Sequence, residues 1–234
     1  MYSIVPLAGP DMYDAESMEL RPLAEIHGRA LVEYVLNSRT WIQNGEVPPD
    51  HLIFVVREFE KLSELLVKLN EFFPKARYVT VDRLTRGASL SALAGISVVD
   101  GFLEPVVVDL ADIIYDLDFS PTSIFSNEPD VAGIIPYFHS NDPHFSYLQM
   151  SGDTVIATVE KKVISDNASA GTYFFRDVSI FLDAVRGGIT RGAEEAVNGA
   201  MFMCPVYNTL TQQGKKVRGV LVDNAEPISL RFHY

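Results

Sequence analysis

Three features of the 234-residue chain predict an α/β fold. Strand-like apolar runs alternate with helix-spaced apolar stripes through the first half. The second half turns to closely spaced strands. A composition of 47% hydrophobic and 21% charged residues suits a chain that buries one substantial core. The expected organisation is a single domain over 1–234, parallel in its first half (1–115) and mixed in its second (116–234).

The elements follow in order. Ile4 to Ala8 is an apolar run stopped by Gly9, and Leu31, Val32, Val35 and Leu36 make the first helical stripe. His51 to Val56 is the second strand. Leu62, Leu65, Leu66, Leu69, Phe72 and Phe73 recur at helical spacing up to Pro74, which closes that helix. Tyr78 to Val81 and Pro105 to Asp109 read as strands on either side of a helix over Ser89 to Val99. Alternation of this kind implies a sheet with helices on both faces. Beyond residue 115, Val131 to Phe138, Phe145 to Met150, Thr154 to Val159 and Thr172 to Phe175 read as strands with little helix between them. Gly152-Asp153 suits a tight turn between two of these. Helices are expected over Val178 to Val185 and over Pro205 to Gln213, the latter stopped by Gly214.

Bulk properties narrow the partners. A formal net charge of −12 repels polymeric nucleic acid and anionic lipid, although a divalent cation or a few local basic groups can reverse the field inside a cleft. No run approaches the ~20 apolar residues of a membrane span, and Met1 to Pro10 lacks the pattern of a signal peptide. Cys204 is the single cysteine, which fits a reducing cytoplasm and reads as a packing residue. The five histidines show no metal-ligand spacing. Oligomeric state stays open, a homo-oligomer included.

Several constellations could carry chemistry. A strand ending in Leu7, Ala8 and Gly9 lets backbone N–H groups approach a phosphate, with Arg21 as a source of positive charge; an ordinary strand-to-loop turn is the plainer reading. Leu84 to Ser91 places Gly87 before a helix that Ser89 could cap. Asp109 lies on the strand from Pro105, and Asp112 follows it. Carboxylates beyond the carboxyl end of such a strand can hold Mg²⁺ against phosphate, and Asp112 can equally cap a helix. Glu160-Lys161-Lys162 is a charge run at a strand end, either a site or a solvated edge.

These segments together resemble the sugar-phosphate nucleotidyltransferases. "IVPLAG" followed by "LRPLAEIHGRALVEYVL" is similar to that family's opening, with Leu7, Ala8 and Gly9 in its nucleotide loop and Arg21 where it has a lysine. Gly87 and Ser91 match a segment that contacts the nucleotide base, and Asp112 matches its metal-binding aspartate. "SYLQMSGDTVIATVEKKVISDNASAGTYFF" is the most specific match: Ser146, Tyr147, Val155, Glu160, Lys161, Ile164, Ser165, Ala168, Gly171, Tyr173 and Phe175 all fall in register. "NGAMFMCPVYN" and "GKKV" continue it, and "DNAEPISLRF" offers Asp223, Pro227 and Leu230 at the family's last motif. Asp11 stands at the family's second loop glycine and Tyr13 at its catalytic arginine, flanked by Asp14 and Glu16; Ala200 stands where glutamate is frequent.

The resemblance implies a three-layer α/β/α domain, a Rossmann-like mixed sheet of the nucleotidyltransferase/GT-A type. Its first half binds nucleotide and its second half the acceptor. It implies transfer of a nucleotidyl group from a nucleoside triphosphate to a small phosphorylated acceptor, for capsule or lipopolysaccharide precursors. Arg21, Asp112 and Lys161 are then catalytic, Leu7, Ala8, Gly9, Gly87 and Ser91 bind nucleotide, Glu160, Lys161 and Gly171 bind the acceptor, and Asp112 with Asp223 holds Mg²⁺. A phenol at position 13 does not stabilise charge on an attacked phosphate as an arginine does. A catalytically degenerate sugar-nucleotide-binding or regulatory protein therefore stands as one alternative, and a GT-A glycosyltransferase as another.

Overall fold

The computed structural model describes residues 1–14, 19–192 and 196–228. Strand β1 (Tyr2–Leu7) is followed by two short antiparallel pairs, β2 (Tyr13–Asp14) with β3 (Glu19–Leu20) and β4 (Glu25–Ile26) with β5 (Arg29–Ala30). Helices α1 (Leu31–Ser38) and α2 (Thr40–Gln43) lead to β6 (Leu52–Arg57), α3 (Leu62–Phe72), β7 (Arg77–Val81) and α4 (Ala88–Ile96). Strands β8 (Val106–Asp109) and β9 (Ile113–Asp116) precede α5 (Pro121–Asn127). The second half supplies β10 (Val131–His139), β11 (Tyr147–Ser151), β12 (Thr154–Val159), β13 (Asn167–Ser169), β14 (Thr172–Phe175), α6 (Val178–Arg191), α7 (Tyr207–Gln212), β15 (Lys216–Leu221) and β16 (Asp223–Pro227).

Among the described residues, ten strands share one sheet in the order β13-β11-β12-β15-β10-β14-β8-β1-β6-β7. β8, β1, β6 and β7 run parallel, as the first-half alternation predicts, while β14 enters between β8 and β10 antiparallel to both. The sheet thus runs unbroken from one half of the sequence into the other.

Burial explains the assignments. Ile4 and Val5 point to opposite faces of β1 and are both fully buried, which is why that strand reads as a continuous apolar run rather than an alternating one. In α3 the predicted stripe turns Leu62, Leu65 and Leu69 inward. α4, α6 and α7 cover one face of the sheet, where Ala92, Phe181, Val185, Tyr207 and Leu210 meet Ile4, Val55 and Phe175 in one core cluster. A separate cluster joins α1 and α3 to Val5, Phe54 and Val56 on the other face. No helix among the described residues is long and apolar enough to cross a membrane.

Some expectations are corrected. Helix α6 runs on to Arg191 rather than stopping near Val185, its Asp177 N-cap accepting from Ile180 N at 2.8 Å. The segment from Cys204 opens with a 3-10 turn before α7. α5 interrupts a stretch expected to be strand-rich, and β9, β13, β15 and β16 add strands that the hydrophobic pattern does not announce. α4 is capped at Gly87, not Ser89; the Ser89 hydroxyl donates to the Met201 carbonyl at 3.0 Å instead.

Candidate active site

The carboxyl end of β8 makes a tight turn. Ala111 takes a left-handed conformation (φ 55°), its N–H donating to Asp109 Oδ1 at 2.9 Å. The turn presents Asp112 beside Arg21, with Arg21 Nη2 at 3.7 Å from Asp112 Oδ2. The other Asp112 oxygen, Oδ1, is buried with no hydrogen-bond partner among the described residues. Burial raises the Asp112 carboxyl above its ordinary range, and the Arg21 charge works against that rise.

The loop after β1 approaches the same point. Ala8 is buried, Gly9 leads into a 3-10 turn over Pro10–Met12, and the Asp11 carboxylate ion-pairs with Arg21. A side chain at position 9 would meet that carboxylate, which would have to shift to make room. Arg21, mostly buried, therefore lies between Asp11 and Asp112. Tyr13 packs against Phe59, ring centroids 5.9 Å apart. Glu16 and Leu230 lie outside the described residues.

The second half closes the cluster. Gly171 (φ 74°) precedes β14, whose Thr172 pairs with Asp109, and a Cβ on Gly171 would stand 3.1 Å from Asp112 Oδ1. Glu160 directly follows β12, is buried, and accepts a hydrogen bond from Ser146 Oγ. Desolvation pushes its carboxyl up to about 7, with the Asp112 charge adding to the rise and Lys161 opposing it. Lys161 is exposed, in a left-handed conformation (φ 52°), with Nζ 5.2 Å from the centre of the Phe202 ring. A carboxyl titrating near neutrality inside a cleft is a frequent mark of a functional site.

Arg21, Asp112, Gly171 and Glu160, with the loop from Leu7 to Gly9, thus converge beyond the ends of β1 and β8. Asp223 does not join them. It is exposed at the far end of the β9–β16 ribbon, opposite Asp116, whereas Ile228 N donates to the Asp112 carbonyl at 3.0 Å. Gly87 (φ 109°) leads α4, and a side chain there would overlap the Met201 carbonyl oxygen, so backbone crossing alone demands glycine. Ser91 is buried with its hydroxyl 2.5 Å from Thr85 Oγ1. Residues of the "CPVYN" motif act inside the fold: Tyr207 OH donates to the Phe174 carbonyl at 2.7 Å, and Asn208 takes Thr158 N–H and gives to Thr158 O. Cys204 is fully buried and burial drives its thiol well above the ordinary range, as befits a packing residue.

The comparisons with known proteins bear on the fold. The nucleoside-diphosphate-sugar pyrophosphorylase from Vibrio cholerae RC9 superposes with a TM-score of 0.78 over 96% of this chain and 93% of its own, at 23% identity. This chain has the sugar-nucleotide pyrophosphorylase fold. The inositol-1-phosphate CTP transferase from T. maritima shares it at TM-score 0.69 and 14% identity, covering 96% of this chain and 86% of that one. A UDP-glucose pyrophosphorylase complexed with UDP-glucose matches at TM-score 0.65 and 15% identity, over 95% and 92%. No family model and no curated protein matches the sequence.

One buried charged residue behind the site escaped the sequence reading. Arg39, 1% exposed, donates Nε to Asp109 Oδ2 at 2.7 Å and Nη2 to Asp109 Oδ1 at 3.1 Å. A fully buried aspartate demands a cation, but nothing in the local pattern says which of the chain's basic residues supplies it.

Proposed function

We propose that the chain is a nucleotidyltransferase that joins a nucleoside monophosphate from a triphosphate to a sugar phosphate or similar small phosphate. The acceptor's phosphate oxygen attacks the α-phosphorus in line, the α–β bridging bond breaks, and pyrophosphate leaves. No protein nucleophile is needed, so positioning and charge neutralisation carry the rate. The observation that carries this reading is the convergence of Arg21 and Asp112 from one half with Gly171 and Glu160 from the other, in a fold shared with pyrophosphorylases.

Arg21 neutralises the triphosphate held over Leu7, Ala8 and Gly9. Glu160 accepts from acceptor hydroxyls, and Lys161 swings from Phe202 to the acceptor phosphate. Gly87 and Ser91 border the base. The unpartnered, buried Asp112 Oδ1 fits magnesium, which Asp112 would hold through its carboxylate in the presence of a bound phosphate. Among the described residues no group of three candidate ligands stands together, and Asp223 is not a ligand in this reading. A magnesium ion held there would supply charge neutralisation at the phosphate. A cytoplasmic supply of surface-polysaccharide precursors is the setting we assign.

Titration calorimetry with Mg²⁺ and each nucleoside triphosphate tests the reading. Binding of at least one is expected, and binding of none overturns it. Pyrophosphate release over a panel of sugar phosphates then tests turnover. Asp112→Asn is expected to lower it at least about 100-fold, about 2.7 kcal/mol of transition-state stabilisation. The Asp11–Arg21 ion pair favours a second reading, a nucleotide-binding module without turnover, because a carboxylate already holds the cation a triphosphate needs. Tight binding with no pyrophosphate release selects it.

A further inference from the structure

Arg39 sits between α1 and α2, and its contacts converge on the Asp112 turn. Its fork grips Asp109 at the start of that turn, and the same Nη2 donates to the Ile113 carbonyl at 3.0 Å at its end. The guanidinium lies 4.1 Å from the Tyr115 ring centre and 5.7 Å from that of Trp41. Between the two gripped residues, Leu110 N donates to Gly171 O at 2.9 Å and Ala111 N to Asp109 Oδ1 at 2.9 Å. Asp109, Leu110, Ala111 and Ile113 are thereby tied, and Asp112 between them presents its carboxylate beside Arg21.

Stability does not account for this arrangement. Desolvating both ions of a buried pair offsets most of their attraction, and apolar pairs of similar size are often as stable or more so. Arg39 Nη1 adds to the cost, being buried without a hydrogen-bond partner among the described residues. What the pair supplies is geometry: a planar fork with a third donor in the same plane, stacked on an aromatic ring, fixes direction as a lysine ammonium does not. The left-handed Ala111 also needs a holder, since a non-glycine residue is strained there.

We propose that Arg39, acting through Asp109, is the positioning residue that sets the Asp112 carboxylate for the magnesium–nucleotide complex. The proposal rests on Asp112 as the magnesium carboxylate. It is tested by measuring nucleotide affinity with and without Mg²⁺ in the full chain, for whichever triphosphate binds, and taking the ratio. Asp112→Asn is expected to abolish the Mg²⁺-dependent gain. Arg39→Met/Asp109→Leu, an apolar pair that removes both buried charges, is expected to melt cooperatively with unchanged circular dichroism and an unchanged Mg²⁺-free affinity. Its Mg²⁺-dependent gain is expected to fall at least tenfold. Arg39→Lys keeps the charge and loses the fork, and a partial loss of the gain is expected. A folded double variant that keeps the gain within twofold, while Asp112→Asn loses it, overturns the proposal and leaves the magnesium reading standing. If Asp112→Asn keeps the gain, that reading falls and the proposal with it. Should the double variant fail to fold, Arg39→Lys decides: a gain within twofold of the unmodified protein overturns the proposal.

Discussion

Glu160 and Asp11 are two carboxylates with opposite consequences. Glu160 titrates near 7 because burial penalises its ionised form more than Ser146 and Lys161 favour it. A carboxyl whose folded value is raised binds its proton more tightly in the native state. Its contribution to stability is then full below about pH 4.5, the unfolded value, and is lost as pH rises through about 7. Urea unfolding of the wild type against Glu160→Gln should therefore converge in acid and separate above pH 7 in favour of the glutamine. The gap should be on the order of 3 kcal/mol at full ionisation. A constant gap across pH 5–8 would refute the assignment. Asp11, by contrast, acts on a ligand. Its carboxylate occupies Arg21, so Asp11→Asn should tighten triphosphate binding about tenfold, near 1.4 kcal/mol, in calorimetry. An unchanged or weaker affinity would mean that Arg21 does not meet phosphate.

At the scale of elements, glycines separate backbone need from available space. Gly87 and Gly28 both have positive φ, 109° and 77°, yet only the first meets neighbouring backbone where a Cβ would stand. Gly28→Ala should cost about 1 kcal/mol from conformation alone, whereas Gly87→Ala must also displace the Met201 backbone and should cost about 3 kcal/mol or more. Equal losses in chemical denaturation would argue against the close crossing. The same contrast shows what the sequence reveals. Gly87 stands out through its motif, but its partner Met201 is contributed from 114 residues away, which no local pattern encodes. β1, β6 and β8 are legible because strands buried on both faces read as near-continuous apolar runs. β15 hides because it carries Lys216, Arg218 and an interior Gly219 whose missing side chain makes room for Met150. α5 did have a readable start, Ser120-Pro121, with the serine accepting from Ser123 N.

For the whole molecule, both halves of the chain meet at one cluster, so a ligand bound there must stabilise the entire sheet rather than one end. The motif from Ser146 to Phe175 points to Glu160 and Gly171, and strand-end logic points to Asp112, which the fold brings close together. The Arg39 clamp and the displacement of Asp223 along the β9–β16 ribbon depend on tertiary register, which a sequence does not print. Two effects should then appear in thermal unfolding and can be told apart. With a formal net charge of −12, sodium chloride screens self-repulsion and should raise the midpoint for wild type and Asp112→Asn alike. Magnesium with a bound triphosphate at about 100 times its dissociation constant adds about 2.7 kcal/mol. In a chain of this size that shifts the midpoint by roughly 5–10 °C. At matched ionic strength this second shift should survive in wild type and shrink in Asp112→Asn. An equal shift in both proteins would place the magnesium-dependent site elsewhere in the molecule, because screening has already been held constant and Asp112 is the only group changed.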